Sequence, residues 1–253
     1  MAHERGYRER FPSTHWSIVA QARQRDTAVK RAAVEQLLQR SLPALRAHLV
    51  YGRRLHEDVA DDLLQEFVAA KVLEKDLFGC ADPQLGRFRT FVLTALERFA
   101  WNRFRRDRAK KRAADEGALM VGEDWVENVP ADDRPSEAFD KAWARDLIHD
   151  ALARMREECE NSRRTELWRI FECRVVGPIL EGAPPADYRE VVRRFGFASP
   201  TQASNALVTA KRMYARMLRA VIAEYARDEE EIESEIAQLH RVLAGGAARS
   251  VHS

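Results

Sequence analysis

Cysteine is scarce in this chain and badly spaced for a structural role. Cys80, Cys159 and Cys173 are the three in 253 residues. They are odd in number and far apart, so neither a disulfide framework nor a paired zinc motif is written here. Small buried thiols in a reducing cytosol are the expectation. Long apolar runs are also missing. No stretch approaches the roughly 20 residues that a membrane helix needs, so no membrane partner is expected. The opening "MAHERGYRERF" lacks the apolar core of an export signal, which points to a cytoplasmic protein. Glycine-rich phosphate loops and histidine clusters are absent as well. So is the strict alternation of apolar and polar residues that marks half-buried strands. What remains is a composition 45% hydrophobic and 32% charged, patterned at helical period. That fits an all-α, charge-rich protein with a core or two of its own.

The formal charge is only +2, but the charges are segregated. Residues 98–112, "RFAWNRFRRDRAKKR", hold eight basic residues and one acid, a sum of +7. Residues 115–140 hold nine acids against Arg134, a sum of −8. Residues 224–235 hold seven acids against Arg227, a sum of −6. Blocks of this kind suggest a basic surface flanked by acidic, solvated segments.

Along the chain, Ser13 or Thr14 is a candidate cap for a first helix. Leu37, Leu38, Leu45 and Leu49 mark a second, which Pro43 threatens to interrupt. Val59, Leu63, Leu64, Phe67 and Val68 mark a third. Phe88, Phe91, Val92, Ala95, Leu96 and Phe99 form a stripe that runs straight into the basic stretch. Residues 113–136 lose periodicity and gain acids and two prolines, as an inter-domain linker would. Helical period resumes at Trp143, Leu147, Ile148, Leu152 and Met155, then at Leu167, Ile170 and Phe171. The tail "DEEEIESEIAQLHRVL" reads as a last amphipathic helix, and "AGGAARSVHS" as a disordered end.

Three constellations carry chemistry. In the basic stretch, Arg and Lys would neutralise phosphates, while Phe99, Trp101 and Phe104 offer ring faces on which unstacked bases can lie. The bland alternative is core rings and a solvated helix. In "DVADDLLQEF", Asp58, Asp61, Asp62, Gln65 and Glu66 share a polar face. It suits a basic protein partner or a Mg²⁺ site, or it is simply an acidic face near a helix N-terminus. In "YREVVRRFGFASPTQASNALVTAKR", a short helix ends near Gly196, Ser199 can cap the next, and Pro200 fits its first position. Ala203, Leu207 and Ala210 face inward. Thr201, Gln202, Ser204, Asn205 and Thr209 face out, followed by Lys211 and Arg212. This is the arrangement of a helix-turn-helix, though ordinary helical corners share it.

In this order the three elements resemble bacterial RNA polymerase sigma factors of the small, extracytoplasmic-function type. The resemblance covers roughly residues 35–112 and 140–226. Asp61 to Glu66 resembles the family's core-binding signature. "FRTFVLTALERFAWNRFRRDRAKKR" resembles the helix that melts and reads the minus-ten element, and "YREVVRRFG…NALVTAKR" the minus-thirty-five helix-turn-helix. "FPSTHWSIV" and "DPQLGRFRTFVLTAL" are similar to a lineage found in planctomycete-like bacteria. The chain departs from the pattern at Glu97-Arg98-Phe99, where many members carry Asn. It departs again at Thr209-Ala210-Lys211, where Arg-Ala-Arg is common, and the turn before that helix is about one residue longer. Promoter sequence and individual base readers therefore do not carry over.

The resemblance implies two small helical domains and a C-terminal helix. Residues 10–112 would bind core polymerase and the minus-ten element, 113–139 would be the acidic linker, 140–226 the helix-turn-helix domain, and 227–253 the acidic tail and disordered end. It implies a non-enzyme with no cofactor or metal. Its partners would be core polymerase, through the largest-subunit coiled coil and the flap, promoter DNA, and an anti-sigma regulator. Asp58, Asp61, Asp62, Gln65 and Glu66 would dock on polymerase. Arg98, Phe99, Trp101, Asn102, Arg103, Arg105, Arg106, Arg108, Lys110 and Lys111 would hold minus-ten DNA. Ser199, Thr201, Gln202, Ser204, Asn205, Thr209, Lys211 and Arg212 would hold the minus-thirty-five element. The rival expectations are a free-standing helix-turn-helix regulator and a Mg²⁺-dependent nuclease using Asp58, Asp61, Asp62 and Glu66, although such sites usually gather ligands from several elements. If the acidic linker occupies a positive polymerase channel until RNA displaces it, amide replacement of its acids changes the ratio of abortive to full-length transcripts. Unchanged escape kinetics would reject that role.

Overall fold

The computed structural model describes residues 17–82, 84, 86–114, 136–180 and 182–250. Helix is the regular structure found among them, as the periodicity predicts, and no strand occurs there. None of the helices described is long and apolar enough to cross a membrane. The chain divides into two compact units: Met1–Ser136 with Ala223–Ser234, and Glu137–Ile222 with Glu235–Ser253.

The first unit is built on α1 (Ser17–Ala22), α2 (Thr27–Ala47), α3 (Glu57–Phe67) and α4 (Phe88–Ala114). Asp26 starts α2 by accepting from the Ala28 and Val29 amides at 2.9 and 3.4 Å, which satisfies donors that have no partner within the helix. Pro43 does not stop α2. It lies on an exposed face, and the helix passes it and continues into a wider turn at His48–Gly52. α3 buries Ala60, Leu63, Leu64 and Phe67. α4 buries Phe88, Val92, Leu93, Leu96, Phe99 and Ala100. The two faces meet where Phe67 packs edge-on to Phe99, ring centroids 5.7 Å apart. Full burial of such a side chain stabilises a fold by about 1.5–3 kcal/mol.

A segment from far along the chain completes this unit. Tyr225, Ala226 and Ile232 are buried. The Ile18 amide donates to the Glu224 carbonyl at 3.3 Å. Arg40, only 4% exposed at its side chain, donates to the Glu224 carboxylate at 3.0 Å, and its guanidinium lies 5.6 Å from the Tyr225 ring centroid. Arg87 donates to Ser234 Oγ at 2.7 Å. Residues 223–234 thus group with the first unit and span the 226/227 boundary that the resemblance implies. The acids of 224–235 suggest a solvated appendage, but the apolar residues between them are core, and Arg40 is a buried cation that needs its carboxylate.

The second unit contains α5 (Glu137–Asn161), α6 (Thr165–Phe171), the short α7 (Gly177–Leu180), α8 (Tyr188–Phe195) and α9 (Pro200–Ala223). α5 buries Phe139, Trp143, Leu147, Ala151, Met155 and Cys159, one residue per turn at i+4 spacing. α9 buries Ala203, Leu207, Ala210, Met213, Met217 and Val221. Phe171 packs on Tyr214 at 5.3 Å, and burial pushes the Tyr214 hydroxyl up to about 12.

α10 (Glu229–Ser250) opens within the segment that completes the first unit. Asp228 accepts from the Glu231 amide at 2.8 Å, and Glu231 reaches back to the Arg227 amide at 2.9 Å, a pair of bonds akin to a capping box. α10 runs to Ser250, into the stretch that composition marks as disordered. The expected cap at Ser13 or Thr14 and most of the acidic linker lie outside the described residues.

Removing the Glu224 carboxylate takes a counter-charge away from the buried Arg40. Glu224→Ala should lower stability by on the order of 3 kcal/mol. The Arg40→Met/Glu224→Leu pair should lose less than either single change, as thermal and urea melts followed by circular dichroism would show.

Candidate nucleic-acid interface

α3 turns Asp58, Asp62, Gln65 and Glu66 to solvent and leaves Asp61 half-buried. Their charges are not equivalent. Arg46 forks onto Asp61 at 2.6 and 3.0 Å and also holds Glu57 at 2.8 Å. The guanidinium keeps the Asp61 carboxyl below its ordinary range. Glu66 pairs with Arg103 Nη2 of α4 at 2.9 Å. Asp58 lies 3.3 Å from His56 in a fully solvated pair. The side chains of Asp62 and Gln65 make no hydrogen bond or ion pair with a described residue. The face open to a partner is therefore centred on these two, with Val59 and Leu73 adding exposed apolar surface.

On α4 the rings separate. Phe99 is a core residue, 7% exposed, and cannot take a base. It continues the i, i+3, i+4 stripe from Phe88, and the expectation that it contacts DNA is corrected on that ground. Trp101 and Phe104 are half-buried. The Arg105 guanidinium sits 4.7 Å from the Trp101 ring centroid, a cation–π contact. Arg98, Asn102, Arg105 and Arg106 are exposed. Asn102 donates to the Arg98 carbonyl at 2.8 Å, and Arg106 to the Asn102 carbonyl at 3.3 Å. Arg103 and Arg108 are half-buried. Lys110 and Lys111 lie on the helix, and their side chains fall outside what is described.

The composition gives little hint of the polar hub beneath this helix. Glu97 accepts from Arg53 at 2.8 Å and bonds His48 Nε2, while His48 Nδ1 contacts Ser136 Oγ at 2.9 Å. Burial alone would raise the Glu97 carboxyl, but His48 and Arg53 outweigh it and hold the group below its ordinary value. Ser136 sits so close to Gly52 that a Cβ there would meet its hydroxyl at 2.7 Å. Glu97, a lone acid between the apolar stripe and the basic run, is the one sequence signal for this hub.

Within the second unit, the predicted helical corner is present. Asp187 caps α8 by accepting from the Arg189 amide at 2.8 Å. Gly196 closes it in the left-handed region, at φ 75°, where a side chain would be strained. Ser199 Oγ accepts from the Gln202 amide at 3.1 Å, and Gln202 Oε1 accepts from the Ala198 amide at 2.5 Å. This reciprocal cap fixes the start of α9. It also commits the Gln202 carbonyl, so a bidentate contact from that side chain to adenine would require the cap to open.

No protein-family model, curated protein or solved structure matches the chain.

Thr201, Asn205 and Thr209 are exposed beyond that cap, while Ser199 and Ser204 are half-buried. Thr209 Oγ1 donates to the Asn205 carbonyl at 3.0 Å. Lys211 and Arg212 are exposed. Arg189, Arg193 and Arg194 on α8 and Arg216 on α9, outside the expected set of contacts, are exposed as well. The string "YREVVRRF" carries the signal for the first three, since an 8-residue helix with one buried valine must turn its arginines outward. Among the described residues no three His, Cys, Asp or Glu side chains converge as metal ligands would. Two of the four acids considered for Mg²⁺, Asp61 and Glu66, are engaged by arginines.

The Glu97 hub has a pH signature. With its folded pKa depressed, Glu97 contributes stability that is present above its unfolded value near 4.5 and lost as pH falls through the lower folded value. Thermal melts from neutral to about pH 3 should therefore show wild type and Glu97→Gln far apart at neutral pH and converging in acid.

Proposed function

We propose that the chain is a sigma-type transcription initiation factor of the extracytoplasmic-function class, acting in the cytoplasm. One observation carries the reading: α3 and α4 pack through Phe67 and Phe99 so that an open acidic face and a cationic, ring-bearing helix are held side by side on one unit. A protein that must grip a machine and a nucleic acid together needs this juxtaposition. The capped corner of α8 and α9 with its exposed arginines supports it, as does the resemblance of the three motifs.

In this role Asp62 and Gln65 meet a basic surface of core polymerase, where complementary charge steers and orients docking. Arg98, Arg105 and Arg106 hold backbone phosphates, and the Trp101–Arg105 pair and Phe104 offer surfaces to bases freed from the stack. Thr201 and Asn205 face the groove of the upstream element. Arg189, Arg193, Arg194, Lys211 and Arg212 lie against its backbone. No bond is made or broken by the protein itself.

Reconstitution tests this directly. Purified chain added to bacterial core polymerase, on DNA from upstream of its own gene, should give start-site-specific transcripts. Asp62→Lys should abolish them. Tight duplex binding without polymerase, and no transcript with it, would instead indicate a free-standing regulator. Mg²⁺-dependent cleavage of the template would indicate a nuclease.

A further inference from the structure

Glu66 belongs to both surfaces at once. It stands on the partner-facing side of α3, its side chain 49% exposed, and its carboxylate holds Arg103 of the basic helix at 2.9 Å. Arg103 is otherwise poorly provided for. Its Nε lies 3.8 Å from Asp107, beyond hydrogen-bond range. Its Nη1 is buried and has no hydrogen-bond partner. A guanidinium carries five donors in a planar fork, and this one satisfies few of them. It is also flanked along α4 by the exposed cations Arg98, Arg105 and Arg106.

We infer that the Glu66–Arg103 ion pair is a latch, through which docking of a cationic protein surface on α3 releases an arginine for nucleic acid on α4. This rests on the functional reading above and adds how its two halves communicate. A basic side chain arriving beside Asp62 competes for the exposed Glu66 carboxylate. As that carboxylate turns to the partner, Arg103 loses the nearer of its two counter-charges and keeps only the longer contact to Asp107 at 3.8 Å. A strand phosphate then offers the bidentate acceptor that a single carboxylate oxygen does not. Partly exposed pairs of this kind are weak, so they exchange readily. The coupling is reciprocal. A strand that captures Arg103 frees Glu66 for the partner and tightens docking by the same factor.

The test uses the full chain without polymerase and a fluorescent single-stranded oligonucleotide across a salt series. Glu66→Gln keeps the shape of the side chain and opens the latch. It should bind the strand several-fold more tightly than wild type, with a salt dependence steeper by about one phosphate contact. Glu74→Gln, the same charge change at an exposed acid elsewhere on the unit, should not reproduce the gain. In the Glu66→Gln background, Arg103→Gln should remove the gain and Arg103→Lys should keep most of it. Circular dichroism melts confirm that each variant is folded. The latch is overturned if wild type binds the strand and Glu66→Gln binds no better, or if the gain survives Arg103→Gln. If neither wild type nor any variant binds the strand at any salt, the nucleic-acid reading itself fails, and the latch with it.

Discussion

The contact of Phe67 with Phe99 sets the orientation of everything outward on the first unit. A ring locked edge-on between two helices fixes the rotation of each about its own axis. Once α3 points Phe67 inward, helical geometry obliges Asp58, Asp62 and Gln65 to point out. Once α4 points Phe99 inward, Arg98, Asn102, Arg105 and Arg106 are left at the surface. The polar faces are thus a by-product of the apolar one, and a small rotation at this seam would redirect both.

Charge on this protein is partly consumed inside it. Arg46 is occupied by Glu57 and Asp61, Arg103 by Glu66, Arg53 by Glu97, and Arg40 by Glu224. Formal charge along the sequence therefore overstates what a partner meets. The acidic helix presents fewer free carboxylates than its letters suggest, and the basic helix fewer free guanidinium groups. What survives is sparse and well placed, which favours selective over indiscriminate electrostatic attraction.

Local structure was largely legible in the residues. Apolar period located the helices, and Ser199, Pro200 and Gly196 announced the corner between α8 and α9 because capping and left-handed turns demand particular side chains. Phe99 was ambiguous, since a ring at the edge of a stripe satisfies both a core and a surface pattern until the neighbouring helix is in place. The role of Gln202 in its own helix cap was hidden for a similar reason: one amide can serve the backbone or a base. Longest in reach was the burial of Arg40. Glu224 lies far outside any window of sequence around it, and the acids surrounding Glu224 suggest a solvated run.

That last pairing joins residues 184 positions apart. A chain made from its N-terminus onward presents α1 to α4 to the surroundings long before Tyr225 and Glu224 leave the ribosome. Until then the nascent unit lacks the Glu224 carboxylate that pairs with Arg40 on α2, and leaves uncovered the apolar surface where Tyr225, Ala226 and Ile232 will sit. Its final consolidation waits on a distant, entropically costly closure. The interval of synthesis in between is when the emerging protein is most exposed to chaperones, proteases and misassociation.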